Sequence, residues 1–328
     1  MSARSASARR RSNVRPRGPS RASFEIPAEP ADVVLKVGSR DVRLTNLNKP
    51  FWPELGITKR DLLQYYANIS GALLPHVRDR AMVMKRYPHG ASGPFFFMKR
   101  APSPRPDWIE TCAIEHGSGS VIHFPMVQDL ASLLWVVNLG CIDLNQWYAR
   151  CDDVDRPDYL HFDLDPGEGV GFAAVRRAGF ILRDALDALK MPVLVKTTGS
   201  RRLHAYVPIV RGPVQKDVWR FAKALAVELA SRHADLLTAE YRIAKRPPGR
   251  VLVDYNQNAW GRTLASVYSV RPRPRATVSA PVTWEELEDG VDLEDFRLDN
   301  MPVRVAAVGD LWAALNRKTG RFDLGVYV

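Results

Sequence analysis

No run of eighteen apolar residues occurs in this chain of 328 residues, so no segment is long enough to cross a bilayer as a helix. Cysteine is scarce: Cys112, Cys141 and Cys151 are an odd number and lack Cys-x-x-Cys spacing. That argues against a disulfide framework and against a cysteine-rich zinc site. A reducing cytoplasm is the expected setting, with no membrane partner. The Gly-x-x-x-x-Gly-Lys-Ser/Thr loop of one common triphosphate cradle is also missing. Residues 1–23 contain no acid but carry seven arginines (Arg4, Arg9, Arg10, Arg11, Arg15, Arg17 and Arg21). Without those seven the net charge falls from +11 to +4 over residues 24–328. The body is only mildly basic, and any surface for a polyanion must be a local cluster.

What is present divides into two parts. Residues 1–23, rich in Arg, Ser, Ala and Pro, have too little apolar surface to offset the entropy of ordering, and read as a disordered basic tail. The tail is either simply solvated or a non-specific phosphate-binding arm. Its arginines precede no apolar stretch, so a secretory signal is not expected. Residues 24–328 read as one catalytic domain without internal repeats.

Capping-box spacing at Thr58 predicts a helix ending near Gly71–Pro75, and helices are expected over 130–139, 172–190 and 218–233. Short β-prone runs fall at 83–87, 95–99, 121–124, 159–165, 193–198, 203–209, 251–255 and 264–270. Strict βαβ alternation is absent, which favours an α+β fold with antiparallel or mixed sheets and flanking helices.

The sharpest local feature is His161-Phe-Asp-Leu-Asp-Pro-Gly167. Period 2 places Asp163 and Asp165 on one strand face, where two carboxylates repel unless a cation bridges them. Hard oxygen ligands suit Mg²⁺ or Mn²⁺. Asp254 ends another apolar strand, and three acids delivered to one place would make a two-metal site for phosphoryl transfer. Each acid alone fits a solvated strand end or turn better than a metal site. Between them, Thr198-Gly-Ser-Arg-Arg-Leu-His204 reads either as a triphosphate cradle on a strand–turn–strand or as an ordinary basic hairpin.

In order, these three segments resemble the motifs of the archaeo-eukaryotic primase superfamily, and more closely those of the polymerase domain of bacterial ligase D. The likeness covers roughly residues 40–325. It includes Leu44-Thr-Asn-Leu-Asn-Lys49, Lys85-Arg-Tyr-Pro88, Phe95-Phe-Phe-Met-Lys99, Asn138-Leu-Gly-Cys-Ile-Asp-Leu-Asn145, Phe162-Asp-Leu-Asp-Pro-Gly167, Asp254-Tyr-Asn-Gln-Asn258 and Tyr268-Ser-Val-Arg271. The pattern is most similar to stand-alone actinobacterial members of the kind associated with ligase C. No Lys-x-Asp-Gly motif occurs, so no ligase domain is expected within the chain.

The resemblance implies a primase-type fold around a three-carboxylate metal site and a polymerase that adds nucleotides, preferably ribonucleotides, to primer 3′-ends. It implies two dications, Mn²⁺ or Mg²⁺, held by Asp163, Asp165 and Asp254. Thr198, Ser200, Arg201, His204, Asn145, Gln257, Arg271 and Arg246 (or Arg250) fall at nucleotide-site positions. Lys49 and Lys59 match a pair that binds a downstream 5′-phosphate. Phe96 and Phe97, with Lys85 and Arg86, lie where relatives meet DNA, although strand alternation should bury at least one phenylalanine of Phe95–Phe97. Gapped or broken DNA, NTP or dNTP, an ATP-dependent DNA ligase and Ku are the implied partners, in the cytoplasm at the nucleoid.

Three departures stand out. Asn145 replaces a common His, Arg201 a Lys and Arg202 a Gly. Rival readings are a metal-dependent nuclease or phosphohydrolase, which would not need the phosphate-binding elements, and a catalytically silent DNA-end-binding module, which would not need the acids.

Overall fold

The computed structural model describes residues 24–328; the expected basic tail lies outside the described residues. In chain order, β1 (Val33–Val37) and β2 (Arg40–Leu44) form a hairpin, and β3 (Pro50–Trp52) and β4 (Ile57–Thr58) a second short pair. Helix α1 (Lys59–Val77) leads into β5 (Met82–Arg86), β6 (Phe96–Met98) and the hairpin of β7 (Thr111–Glu115) and β8 (Val121–Pro125). Then come α2 (Leu130–Asn138), β9 (Cys141–Trp147), β10 (Tyr159–Pro166), α3 (Phe172–Ala188), β11 (Leu194–Thr197), β12 (Leu203–Pro208) and α4 (Gln215–Arg232). The chain continues with β13 (Leu237–Thr238), β14 (Val251–Asp254), β15 (Thr263–Ala265), β16 (Pro281–Val282), α5 (Trp284–Glu288) and α6 (Met301–Val308).

Two sheets carry the architecture. The six-stranded sheet runs β13-β14-β10-β12-β11-β16, antiparallel except for the parallel pair β13–β14. The four-stranded sheet runs β15-β9-β5-β6, antiparallel throughout. The α+β expectation holds. Leu164 and Leu203 pair across β10 and β12 and join Val175, Leu182 and Leu186 of α3 in the main core. Apolar burial is the main driving force here, and it leaves the alternate residues of β10 for the opposite face.

Several elements differ from expectation. Thr58 does cap α1, its side chain accepting from Asp61 N, but the helix runs through Pro75 to Val77. Proline in the last turn removes one backbone donor without ending the helix. The expected strand over 264–270 stops at Ala265. Strands β1–β4, β7, β9, β13 and β16 and helix α6 were not expected; β1–β4 are only two to five residues long, too short for period-2 patterning to register. Cys112 and Cys151 form a disulfide, a bridge that the reading against a disulfide framework did not anticipate. The pair is 39 residues apart in sequence with Cα atoms at 5.8 Å. Local spacing carries no information about two cysteines brought together through the small core of Val83, Ile114, Phe124 and Trp147.

A buried ion pair ties the start of β10 to the loop after α1. Arg80 Nη2 donates to both oxygens of Asp158 at 2.7 and 2.8 Å, and Arg80 Nη1 to Tyr148 O. Burial pushes the Asp158 carboxyl up, but Arg80 and Arg150 more than offset this and hold it below its ordinary value. Among the described residues, no helix is long and apolar enough to cross a membrane.

Candidate active site

Antiparallel register assembles the site. Asp163 on β10 stands opposite Asp254 on β14 and, on its other side, opposite His204 on β12; His204 in turn stands opposite Lys196 on β11. Directly opposed residues share a sheet face, so Asp254, Asp163, His204 and Lys196 form one row across four strands. Asp165, two residues along β10, shares that face. Asp163 and His204 of this row line an open cleft of ≈ 1040 Å³, together with Asn145, Gln257, Arg271 and the turn Thr198–Arg202.

The turn is tightly tied: Thr198 N donates to Arg202 O, and Arg202 N to Thr198 Oγ1. Gly199 has φ +62°, and a Cβ there would lie 2.8 Å from Arg271 Cγ and from the backbone of Val278. Only glycine fits both the backbone and the space. Arg271 therefore runs directly over the turn. Its Nε is 2.9 Å from Asp143 Oδ1, a buried carboxylate whose other oxygen is 3.5 Å from Lys85 Nζ.

The carboxylates themselves are clasped by arginines. Arg202 Nη1 is 2.8 Å from Asp163 Oδ2 and Arg202 Nε 2.8 Å from Asp165 Oδ1. Arg246 Nη1 is 3.5 Å from Asp165 Oδ2, and Arg201 Nη2 3.9 Å from Asp165 Oδ1. Arg250 instead donates to Ala234 O, so Arg246 is the basic residue of that loop at the site. Asp254 accepts from Asn256 N and Gln257 Nε2. Burial raises the Asp163 carboxyl although Arg202 opposes it, and burial likewise raises Asp254 against its bond from Gln257. Burial and neighbouring cations push Lys196 and His204 well below their ordinary values.

The donor set fits a divalent cation: three carboxylates on adjacent strands, with Asp163 Oδ1 buried and lacking a hydrogen-bond donor. As the side chains stand, no three acidic, histidine or cysteine groups among the described residues converge enough to hold an ion. Arg202 lies across two of the carboxylates, and Asp254 is turned to its own loop.

The remaining expected residues separate into two groups. Asn145 Nδ2 donates to Asp143 O on the cleft wall, and Ser200 Oγ accepts from Arg273 Nη2. Phe96, Phe97, Lys85 and Arg86 gather at the free edge of the four-stranded sheet. Phe95, Phe96 and Phe97 are 50%, 43% and 58% exposed, so none is buried as strand alternation had suggested. The reason is that β6 is a short edge strand whose rings rest on cations. Lys85 Nζ lies 4.0 Å from the Phe95 centroid and Arg86 Cζ 5.2 Å from that of Phe96. Lys59, expected with Lys49 at a downstream 5′-phosphate, is buried, and its Nζ donates to Thr45 O.

Sequence reasoning missed Asp143, Lys196 and Arg273. Period 2 from Asn145 back through Asp143 would have put both on one face of β9 and flagged Asp143. Lys196 and Arg273 had no comparable pointer.

A row of acids on adjacent strands beside an arginine-rich turn is the arrangement that the resemblance to primase-type nucleotidyltransferases implies. Comparison with known proteins places it further. The profile of the LigD primase-polymerase domain matches residues 58–312, and the chain belongs to that family. It is 33% identical over 277 residues to the multifunctional non-homologous end joining protein LigD of Mycolicibacterium smegmatis, spanning 84% of this chain and 36% of that protein. It is 28% identical over 269 residues to the bifunctional non-homologous end joining protein LigD of Bacillus subtilis, spanning 82% and 43%. The chain thus matches well under half the length of these relatives. Among solved structures, the polymerase domain from Mycobacterium tuberculosis ligase D in complex with DNA superposes with TM-score 0.79 and 30% identity, covering 84% of this chain and 98% of that one.

Proposed function

We propose that this enzyme adds nucleotides, ribonucleotides in preference, to primer 3′-ends in short gaps or at double-strand breaks, as a polymerase of non-homologous end joining. The observation that carries this reading is the shared sheet face of Asp163, Asp165 and Asp254, beside a cleft that Asp163 lines together with Thr198–Arg202 and Arg271. Two dications, Mn²⁺ in preference to Mg²⁺, bound by these acids would neutralise the leaving pyrophosphate and lower the barrier to attack by the 3′-hydroxyl. The chain's own groups position the reactants. Thr198, Ser200, Arg201 and Arg271 hold the triphosphate, Arg246 adds a phosphate contact from the β13–β14 loop, and Asn145, His204 and Gln257 border the nucleotide. Asn145 can donate one hydrogen bond but carries no charge.

On the DNA side, the exposed rings of Phe96 and Phe97 offer stacking faces above Lys85 and Arg86. Lys49 and Lys59 take the downstream 5′-phosphate. Support for the pair lies in its electrostatics. Burial first, and then the nearby Lys49, push Lys59 down to about 8, a cost that an anion between the two would relieve. A DNA ligase and Ku are the partners the pathway calls for, in the cytoplasm at the nucleoid.

The test is incubation with labelled one-nucleotide-gapped DNA, Mn²⁺ and separate NTP and dNTP pools. Single-nucleotide extension, faster with NTP, is expected. Primer shortening would support a nuclease instead, and binding without any change in primer length a silent end-binding module.

A further inference from the structure

Arg202 occupies the position that the carboxylates would offer to a metal. Nη1 and Nε of one guanidinium reach Asp163 Oδ2 and Asp165 Oδ1 at 2.8 Å each, bridging the two acids that a cation would share. A dication at about 2.1 Å from those oxygens leaves no room for that fork. We propose that Arg202 is a built-in counter-cation that keeps the carboxylates closed until a triphosphate draws it away, so that divalent cation and nucleotide load together. The inference rests on the three-carboxylate reading above.

The geometry supplies both ends of the exchange. Asp163 is fully buried, so withdrawing Arg202 without a replacement would strand a buried charge. Arg202 is the last residue of the turn that begins at Thr198, and its side chain is 36% exposed on the cleft side. When it leaves the acids, phosphate oxygens seated on that turn are within its own neighbourhood. A fork that matched two carboxylates also matches phosphate. Asp165 is already flanked by Arg246 and Arg201, so the acids offer the displaced guanidinium no second berth. Linkage then requires reciprocity: whatever factor nucleotide adds to metal affinity, metal adds to nucleotide affinity.

The experiment is direct Mn²⁺ binding, by the electron paramagnetic resonance signal of free Mn²⁺, with and without a non-hydrolysable NTP analogue. Wild type should bind Mn²⁺ weakly alone. Arg202→Ala should bind it about tenfold to a hundredfold more tightly without analogue, the scale set by removing charge-assisted bonds, and show a smaller gain from the analogue than wild type. Arg202→Ala should also unfold at a lower temperature in the absence of Mn²⁺ and recover when it is added. If Arg202→Ala fails to fold, Arg202→Gln and Arg202→Lys carry the comparison, and the neutral variant should bind Mn²⁺ more tightly than the charged one. Equal Mn²⁺ affinity in wild type and the neutral variants overturns the counter-cation role. Absence of Mn²⁺ binding in every folded variant, with analogue present, overturns the carboxylate reading itself. Asp163→Ala is the reference for abolished binding.

Discussion

The acids of the six-stranded sheet and the aromatic edge of the four-stranded sheet meet their surroundings in opposite ways. On the first, Asp163 and Asp165 are already matched by Arg202, Arg246 and Arg201, and Asp254 by donors of its own loop. On the second, Phe95–Phe97 stand exposed with their cations beneath them. Under the proposed function, the closed half must exchange partners before it acts, whereas the open half would stack on a base without rearrangement. Asp143 lies at the junction, with Arg271 on one oxygen and Lys85 on the other.

Breaking the closed half should have the largest effect. Asp163→Ala or Asp254→Ala is expected to abolish primer extension, since removing a metal ligand takes away several kcal/mol of charge stabilisation. Binding of gapped DNA, measured by anisotropy, should change by less than about threefold, because it rests on other residues. Arg271→Ala should come next. Loss of a charge-assisted bond costs about 1.5–3 kcal/mol, so the KM for nucleotide should rise about tenfold to over a hundredfold. Arg271→Lys should recover only part of this, lacking the planar fork.

Breaking the open half should leave that KM alone. Phe96→Ala or Phe97→Ala is expected to weaken gapped-DNA binding by about 1–3 kcal/mol for each ring withdrawn from a base, with nucleotide KM unchanged on saturating DNA. The smallest effect sharpens the comparison at its margin. The Lys49→Ala/Lys59→Ala double variant should lose a several-fold preference for a downstream 5′-phosphate over a hydroxyl, at fixed salt, yet still extend a simple primer–template. Lys59, pushed down to about 8 by burial, keeps its charge below that pH. The wild-type preference should therefore fade as pH rises through about 8. By linkage, its depression from 10.5 costs stability below about pH 8, and the cost is relieved as pH rises toward 10.5.

Most of the site's components could be read from sequence where a side chain's role follows from its own strand. Asp163 and Asp165 two apart, Asp254 at a strand end and the Thr198–His204 turn are all features of a single strand or turn. Their cross-strand neighbours could not be read that way. The Asp163–Asp254 register depends on how β10 meets β14, and Arg202 on Asp163 depends on a turn folding back over β10. The same limit hid the Cys112–Cys151 bridge. The phenylalanines misled for a related reason: alternation assumes a covered sheet face, and β6 is an edge strand.

For redesign of nucleotide choice, Gly199 divides the turn into positions that can and cannot be varied. The absent methyl group there leaves the gap through which the Arg271 stem passes. Any side chain at 199 would displace Arg271 before meeting a substrate, so a library that randomises the whole turn would lose its members at that position. Variation confined to 200 and 201, which line the cleft, explores the substrate while leaving Arg271 in place.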